Sequence, residues 1–462
     1  MSHPIHSGLA QSAHMRLEGI VGAAHVLIGA TDLASRQADG FLPSVVARPE
    51  DAAQIAEALR FAVTEHLAVI PSGGGTKLGI GLPPARYDIA LDLSRMNRLL
   101  AYDPQDLTLG VEPGMKMEEL LRILAEQKQF LPLAVPFSER ATIGGIVAAN
   151  SSSPLRHAYG GVRDFCLGME FVTGEGIQAK SGGRVVKNVT GYDLHKLLIG
   201  SLGTLGVITR VNFRTYPMLP AQGTFVALFS DAAAAFGFCG AIARSVLVPQ
   251  ILEVADPAAS RMLFSGGAER LEPGAWSVII SAAGQPAVVD RCARELGHMA
   301  GAANAEELIR LGEAEAPAIL ARIREFPRLI LEAAPAAIFR IGVLPTAMAS
   351  LLGELDALAR QEQVDLITLA RASGIIYAAL LPKEGDPNGL AALANSVKRV
   401  FDACGKSEIG ASAMLEFCPP ELKRAARGAW GDSRKDFELM QRVKHSFDPH
   451  GVLSPGRFAG GI

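Results

Sequence analysis

The sequence predicts an α+β protein built in more than one unit, and three observations carry that expectation. Short apolar runs that stop at glycine or proline alternate with helix-spaced segments along most of the chain. The chain has 462 residues, more than one core accommodates comfortably. A turn-rich stretch, MLPAQG at 218–223, separates a motif-dense first part from an alanine-rich second part.

The elements follow in order. SVVARPEDAAQIAEALRFAVTEH, residues 44–66, enters extended and then spaces Ile55, Ala58, Leu59 and Ala62 as one face of a helix. LAVIPSG at 67–73 reads as a strand and turn, DIALDL at 88–93 and LTLGVEPG at 107–114 as further strands, and MKMEELLRILAEQ at 115–127 as a helix. FCLGMEFVTGEG at 165–176 predicts a hairpin arm turning at Gly174 and Gly176. A helix over 192–199 ends at Gly200, and VITRVNFRTYP runs as a strand up to Pro217. From 222 to 412, helices such as AAAAFGFCGAIARSV and MASLLGELDALARQ alternate with strands such as WSVIISA, AAIFRIGV and ASGIIYAAL, without an internal repeat. A helix at about 435–446 stops at the DPHG turn, and the Pro-Gly-rich tail beyond it is ordered only if something holds it. The divisions expected are a segment 1–43, a first domain 44–219, a second α+β domain 220–412, and a C-terminal segment 413–462 that returns to the first.

Composition narrows the function. The chain is 49% apolar and 20% charged with a formal charge of -3, which is the balance of a folded protein. Its basic residues are scattered among acids, so no stripe exists to neutralise a row of phosphates and no nucleic-acid partner is expected. Cys166, Cys239, Cys292, Cys404 and Cys418 form no CxxC and no paired spacing, which fits a reducing compartment and excludes an internal four-thiolate iron–sulfur cluster. The N-terminus has no basic region leading into an apolar core, and no apolar run reaches the length of a membrane span. The expected location is cytoplasmic, with any membrane association made through partners.

Three successive glycines end the strand of PSGGGTKLGIG, residues 71–81. Bare backbone at a strand end lets N–H groups converge on an anion; a tight turn with positive φ uses glycine equally well. Lys77 comes too early for GxxxxGK[ST], and no GxGxxG opens a βαβ unit, so a P-loop and a Rossmann nicotinamide site are both excluded. A second cluster, GSLGTLGVIT at 200–209, and TIGG at 142–145 point together to an extended ligand.

PSGGGTKLGIG, VEPG (111–114), PFSERATIGGIVAAN (136–150), YGGVRDFCLGMEFVTGEG (159–176), VVKNVTGYDLHKLLIGSLGTLGVITRV (185–211) and FDPHGVLSPGRF (447–458) stand in an order that carries a family resemblance. The chain resembles the FAD-binding oxidases and dehydrogenases of the vanillyl-alcohol oxidase and p-cresol methylhydroxylase superfamily. Within it the chain looks most like the E subunit, the smaller FAD-binding subunit of bacterial glycolate oxidase. The resemblance implies a two-part FAD-binding domain, a cap or substrate domain after it, and a C-terminal segment returning to the first. It implies that Ser72, Gly73, Gly74, Gly75 and Thr76, with Pro71 and Lys77 beside them, approach the FAD pyrophosphate. Thr142, Ile143, Gly144, Gly145 and Ser152, with Pro136 nearby, would line the pyrophosphate and the isoalloxazine edge. Gly203, Gly206, Val207 and Ile208 would approach the ribose and adenine, and Arg457 would pack beside the flavin domain. Leu202 stands where the larger-subunit type has Glu. Some relatives attach FAD through a histidine after the paired glycines; Gly75 or Thr76 stands there, so the FAD is expected to be noncovalent.

Oxidation of a 2-hydroxy acid needs a base, a clamp on the carboxylate and a hydride acceptor. Larger catalytic relatives hold a metal with two histidines and an acidic pair in the second domain. Between residues 196 and 444 this chain has only His298, so no metal is expected, and the corresponding stretch LARASGIIYAAL offers Arg371 and Tyr377. Arg340 and Arg371 are candidates for a carboxylate clamp, against the simpler expectation of solvated charges at strand ends. His195 reads as a packed or capping histidine, Lys187 and Tyr192 as neighbours of the flavin, His3, His6 and His14 as parts of a loose terminus, and Trp430 as a packing or interface anchor. No catalytic residue is assigned. The resemblance implies a subunit of a glycolate oxidase-like complex, with a larger FAD-containing subunit and an iron–sulfur subunit as partners and glycolate oxidised to glyoxylate. The alternatives are a self-sufficient FAD-dependent 2-hydroxy-acid or alcohol dehydrogenase, and a noncatalytic scaffold whose flavin site is degenerate.

Overall fold

The computed structural model describes residues 7–184, 191–265, 275–386, 388–406, 410–426, 428–431 and 436–462, with side chains left aside at 7–12 and 425–426. Its first sheet has four strands in the order Val26–Leu27, Val45–Ala47, Ile89–Asp92, Val69–Ser72, and the last three are parallel. Parallel neighbours need a crossover, and the helix Ala52–Thr64 supplies it. Asp51 starts that helix by accepting from the Gln54 N–H, and the predicted face, Ile55, Ala58, Leu59 and Ala62, is the face it buries. The helix Ser7–Val21 packs Leu17, Ile20 and Val21 into the same core, so the segment expected to stand apart as 1–43 is joined to the first unit.

A second sheet of five antiparallel strands follows, in the order Leu99–Asp103, Thr108–Val111, Val207–Arg214, Cys166–Val172, Gln178–Gly182. The hairpin is as predicted, its turn carrying Gly176 at φ 74°. The helix Met117–Glu126 lies on this sheet and buries Met117, Leu120 and Leu124. The predicted helix at 192–199 shrinks to one turn, His195–Leu198, because the Ser181 hydroxyl takes both the backbone N–H and the ring Nδ1 contact of His195 and anchors the chain there.

The second unit is an eight-stranded antiparallel sheet: Glu307–Arg310, Ala221–Phe229, Trp276–Gly284, Ile251–Ala255, Val364–Arg371, Ile375–Pro382, Ala337–Gly342, Ser412–Phe417. The strand Ser412–Phe417 belongs to this sheet, so the division expected at 412/413 falls inside the second unit. One face carries Leu252, Val254, Ala370, Phe339 and Leu415 under the four longer helices. The other carries Ala255, Leu369, Tyr377 and Ile338 and faces shorter helices along part of its width.

The tail finds its hold on the first sheet. Val69 donates to the Val452 carbonyl and Ser454 donates to the Val69 carbonyl, which lays the tail beside the strand that ends in glycines. Lys444 Nζ fixes its start, donating to Asp448, to the Thr204 carbonyl at 2.8 Å and to the Leu453 carbonyl at 2.9 Å. Leu453 is fully buried there. Leu453→Ala is expected to destabilise the protein by about 2–5 kcal/mol, read as a lower urea midpoint at unchanged slope.

Candidate functional site

The glycines at the end of Val69–Ser72 have a steric cause. A Cβ on Gly73 would lie 1.9 Å from Thr142 Oγ1, and one on Gly74 would lie 1.7 Å from the Arg140 carbonyl oxygen. The turn after the first sheet therefore crosses the loop at 140–142 with no room for side chains, and Gly75 completes it at φ 72°. Gly144 makes a similar crossing against Pro113, its would-be Cβ 2.7 Å from that ring. Between these crossings lies a cleft with about 940 Å³ of unfilled space, solvent mouth included.

The cleft is lined by Pro71, Ser72, Gly73, Gly74, Gly75, Thr76, Lys77, Pro136, Thr142, Gly144, Gly145, Gly203, Gly206, Ile208 and Arg457, which come from three separated stretches and the tail. Three expected positions stand elsewhere. Ile143 and Val207 point into the two cores of the first unit, because the neighbouring glycines, not they, meet the cleft. Ser152 turns away from the cleft to accept from Arg371 Nη1 at 2.8 Å. Pro113, Ser151 and Leu202 also line the cleft; VEPG, IVAANSSS and GSLG contain them, but nothing in those strings distinguishes a wall from a turn.

Whether FAD suits this cleft can be judged from its polar atoms. Ser72 Oγ, Thr142 Oγ1, Ser151 Oγ and Arg457 Nη1 are buried without a hydrogen-bond partner in the protein. Arg457 is 3% exposed and spends its other terminal nitrogen on the Leu78 carbonyl at 2.5 Å and on the Ile80 carbonyl. Buried hydroxyls and a buried cation normally find partners. A set of unpartnered donors around a glycine-walled cleft matches an anionic, oxygen-rich dinucleotide, so these residues fit FAD, with Arg457, Ser72 and Thr142 toward the phosphates.

Beside the cleft runs a belt of buried charge on one face of the eight-stranded sheet. Register sets Glu253 opposite Arg371 and Tyr377 opposite Arg340. At the edge strand a bulge lets Phe339 and Ile338 pair with Leu415 and Phe417, which leaves Glu416 as the extra residue and aims it into the belt. Arg371 Nε lies 3.2 Å from Glu253 and its guanidinium stacks on Tyr377 at 4.8 Å. Arg340 lies 3.3 Å from Glu416 and donates to the Asn150 carbonyl at 2.5 Å. Lys77, from the glycine loop, reaches across to pair with Glu416. The expectation that Arg340 and Arg371 are solvated strand-end charges is thereby corrected: Arg371 is buried, Arg340 is half-buried, and each donates to the first unit, to Ser152 and to the Asn150 carbonyl respectively.

The two carboxylates of the belt behave differently. Burial would raise Glu416, but Lys77 and Arg340 outweigh it and hold the carboxyl below its ordinary range. Burial of Glu253 is offset only by Arg371, at a distance without hydrogen-bond alignment, and its carboxyl is pushed up to about 7. Lys77 is itself lowered by burial, with Glu416 pulling the other way.

The remaining candidates stand apart from the cleft. His195 is buried on Ser181, as a packed histidine, and Tyr192 is 89% exposed. Lys187, His3 and His6 lie outside the described residues, while His14 pairs with Glu18 on the N-terminal helix. Half-buried Trp430 packs on Phe458 with ring centroids 5.2 Å apart. Among the described residues no group of three or more His, Cys, Asp or Glu side chains is placed to hold a metal ion, and no helix is long and apolar enough to cross a membrane.

Known proteins bear on this arrangement. Residues 43–182 match the FAD binding domain family, and residues 426–458 match the C-terminal domain of the FAD linked oxidases. The chain is 25% identical to glycolate oxidase subunit GlcD of Bacillus subtilis over 90% of its own length and 89% of that protein. It is 27% identical to D-lactate dehydrogenase of Archaeoglobus fulgidus over 92% and 93%. The likeness to glycolate oxidase subunit GlcE of Escherichia coli is stronger, 35%, but confined to 35% of this chain and 46% of that one. The fold is that of p-cresol methylhydroxylase, with TM-score 0.79 at 16% identity over 99% of this chain and 98% of that one.

Gly74→Ala is expected to leave the chain folded by circular dichroism but to lower the FAD:protein ratio of the purified protein severely, since the crossing must open to admit a methyl. For Glu253, the folded carboxyl above its ordinary 4.5 means stability present below pH 4.5 and lost as pH rises through about 7. Glu253→Gln does not titrate, so its melting temperature relative to the parent is expected to improve between pH 5 and pH 8 in parallel thermal melts (both pH values roughly bracketing the window).

Proposed function

From the premise that this chain is an FAD-dependent oxidoreductase of the vanillyl-alcohol oxidase and p-cresol methylhydroxylase superfamily, we propose that it oxidises a 2-hydroxy acid in a site of its own. The observation that carries the reading is the buried belt of Lys77, Arg340 and Arg371 immediately beside the cleft. Withdrawing three cations largely from water, their side chains 12%, 15% and 5% exposed, costs up to several kcal/mol each in order of magnitude, and a perturbed charge cluster beside a cleft is a candidate functional site. A chain that merely stored electrons would not need them.

FAD, when bound, supplies the hydride acceptor. The chain's own residues do the rest. Arg340, fixed by Glu416 and the Asn150 carbonyl, and Arg371, fixed by Ser152 and Tyr377, hold the carboxylate as a planar fork holds a planar anion. That fixes the carbinol carbon in orientation. The relatives named for glycolate and D-lactate support the substrate class.

The finer reading is glycolate oxidised to glyoxylate within a complex, electrons passing to a larger FAD-containing subunit and an iron–sulfur subunit. The likenesses to GlcD and GlcE support it, as does the scatter of five free cysteines, which gives this chain no cluster of its own. The scaffold alternative is disfavoured by the intact set of unpartnered polar atoms in the cleft.

The test is anaerobic addition of glycolate or D-lactate to the purified, FAD-loaded chain, with a separate, untreated sample denatured and pelleted. Bleaching of the visible flavin band and yellow supernatant are expected, the latter because the flavin is noncovalent. Arg340→Met is expected to raise KM by roughly 10- to 100-fold with FAD content unchanged. A yellow chain that no 2-hydroxy acid bleaches would move substrate oxidation to a partner.

A further inference from the structure

The belt has a charge balance that selects among acids. Above about pH 7, where Glu253 is ionised, Lys77, Arg340 and Arg371 are three cations and Glu253 and Glu416 two carboxylates, so that one positive charge is left over among the described residues. Both carboxylates are essentially shut off from solvent, their side chains 0% and 1% exposed, so water does little to soften the count. We infer that the site accepts one carboxylate and an uncharged C2 substituent, discriminating monocarboxylic 2-hydroxy acids from short dicarboxylic ones. The inference rests on the carboxylate-clamp reading of the belt.

The geometry gives the preference its direction. Each carboxylate occupies a fixed place: Glu253 stands in register with Arg371 near the middle of the sheet, and the bulge holds Glu416 between Lys77 and Arg340. A substrate carboxylate entering between the arginines neutralises the surplus charge. A second carboxylate on the same short molecule has no cation left, and it meets Glu253 or Glu416 at close range. A buried, unpaired charge is costly enough to be decisive, while an uncharged methyl or hydrogen in its place costs nothing of the kind. Arg156 and Lys398 line the adjoining wider cavity, but Lys398 is exposed and Arg156 half-buried, where water screens them. They offer a second carboxylate little unless its tether is long enough to leave the belt.

The experiment uses the FAD-loaded chain at about pH 8, where a carboxyl near 7 is ionised. Calorimetry with propionate and malonate, which cannot react at C2, reads binding apart from chemistry; anaerobic flavin reduction by lactate and tartronate reads the reaction. Propionate is expected to bind, and lactate to reduce, roughly 100-fold better than the dicarboxylate of the same carbon number. Glu253→Gln is expected to narrow the propionate-to-malonate ratio, whatever it does to both affinities together, because it removes one of the two repelling charges. Malonate binding as tightly as propionate, or a ratio unmoved by Glu253→Gln, overturns the charge selection and leaves the clamp standing. Binding of neither anion overturns the clamp itself.

Discussion

Everything in the site depends on one close approach, the passage of Gly73 and Gly74 under the loop Arg140–Thr142. It joins the end of the first sheet to the loop that precedes Ile143–Ala148 on the second, and the cleft opens beside that crossing. Side chains at either position would separate them by the width of a methyl. The tail then closes the arrangement from behind, since Val452–Ser454 pairs with the same strand and delivers Arg457 to the cleft wall. The glycines thus answer first to packing, and their usefulness to an anion follows from the packing.

The cleft and the belt hold their polar atoms differently. In the cleft, Ser72, Thr142, Ser151 and Arg457 hold donors with no partner, an arrangement that is unfavourable until something occupies it. In the belt the charges stand in ion pairs, although both Glu253 oxygens, Arg371 Nε and Glu416 Oε2 lack an aligned hydrogen bond, and both members of each pair are desolvated. Unpartnered donors favour tight retention of a resident group, whereas paired charges with one to spare favour an anion that comes and goes. The contrast between Glu416, held below the ordinary carboxylate range by two cations, and Glu253, raised by burial to about 7 with one cation opposing, follows from the same pairing.

The first unit was largely legible in the sequence because its determinants are local. Helix spacing in 52–64, the glycine-ended strand at 69–72 and the hairpin at 166–182 each follow from residues within one short window. The belt was not, because its logic is carried by register between distant strands. Arg340 and Arg371 each read as one charge in an apolar run, and nothing near them in sequence reveals that Glu253 lies opposite one and a bulged Glu416 beside the other. Lys77 was legible only as part of the glycine loop; its partner lies in the last strand of the other sheet. The division at 412/413 failed for the same reason: a strand that completes an eight-stranded sheet by pairing with 337–342 carries no local mark of belonging to it.

That same non-locality bears on how the two units are held together at the site. Lys77 and Asn150 belong to the first unit and Glu416 and Arg340 to the second, so the network that orients the clamp is also the contact that fixes the units against one another there. Phe137 adds to it, its backbone N–H donating to Glu325 at 2.9 Å and its ring lying under Arg328. A charge network built across an interface keeps its geometry only while the interface keeps its own, so the side-chain positions of Lys77, Arg340 and Glu416 are set jointly by both units. The two units are therefore held at the site by charges that the chain places more than 300 positions apart, from Lys77 to Glu416.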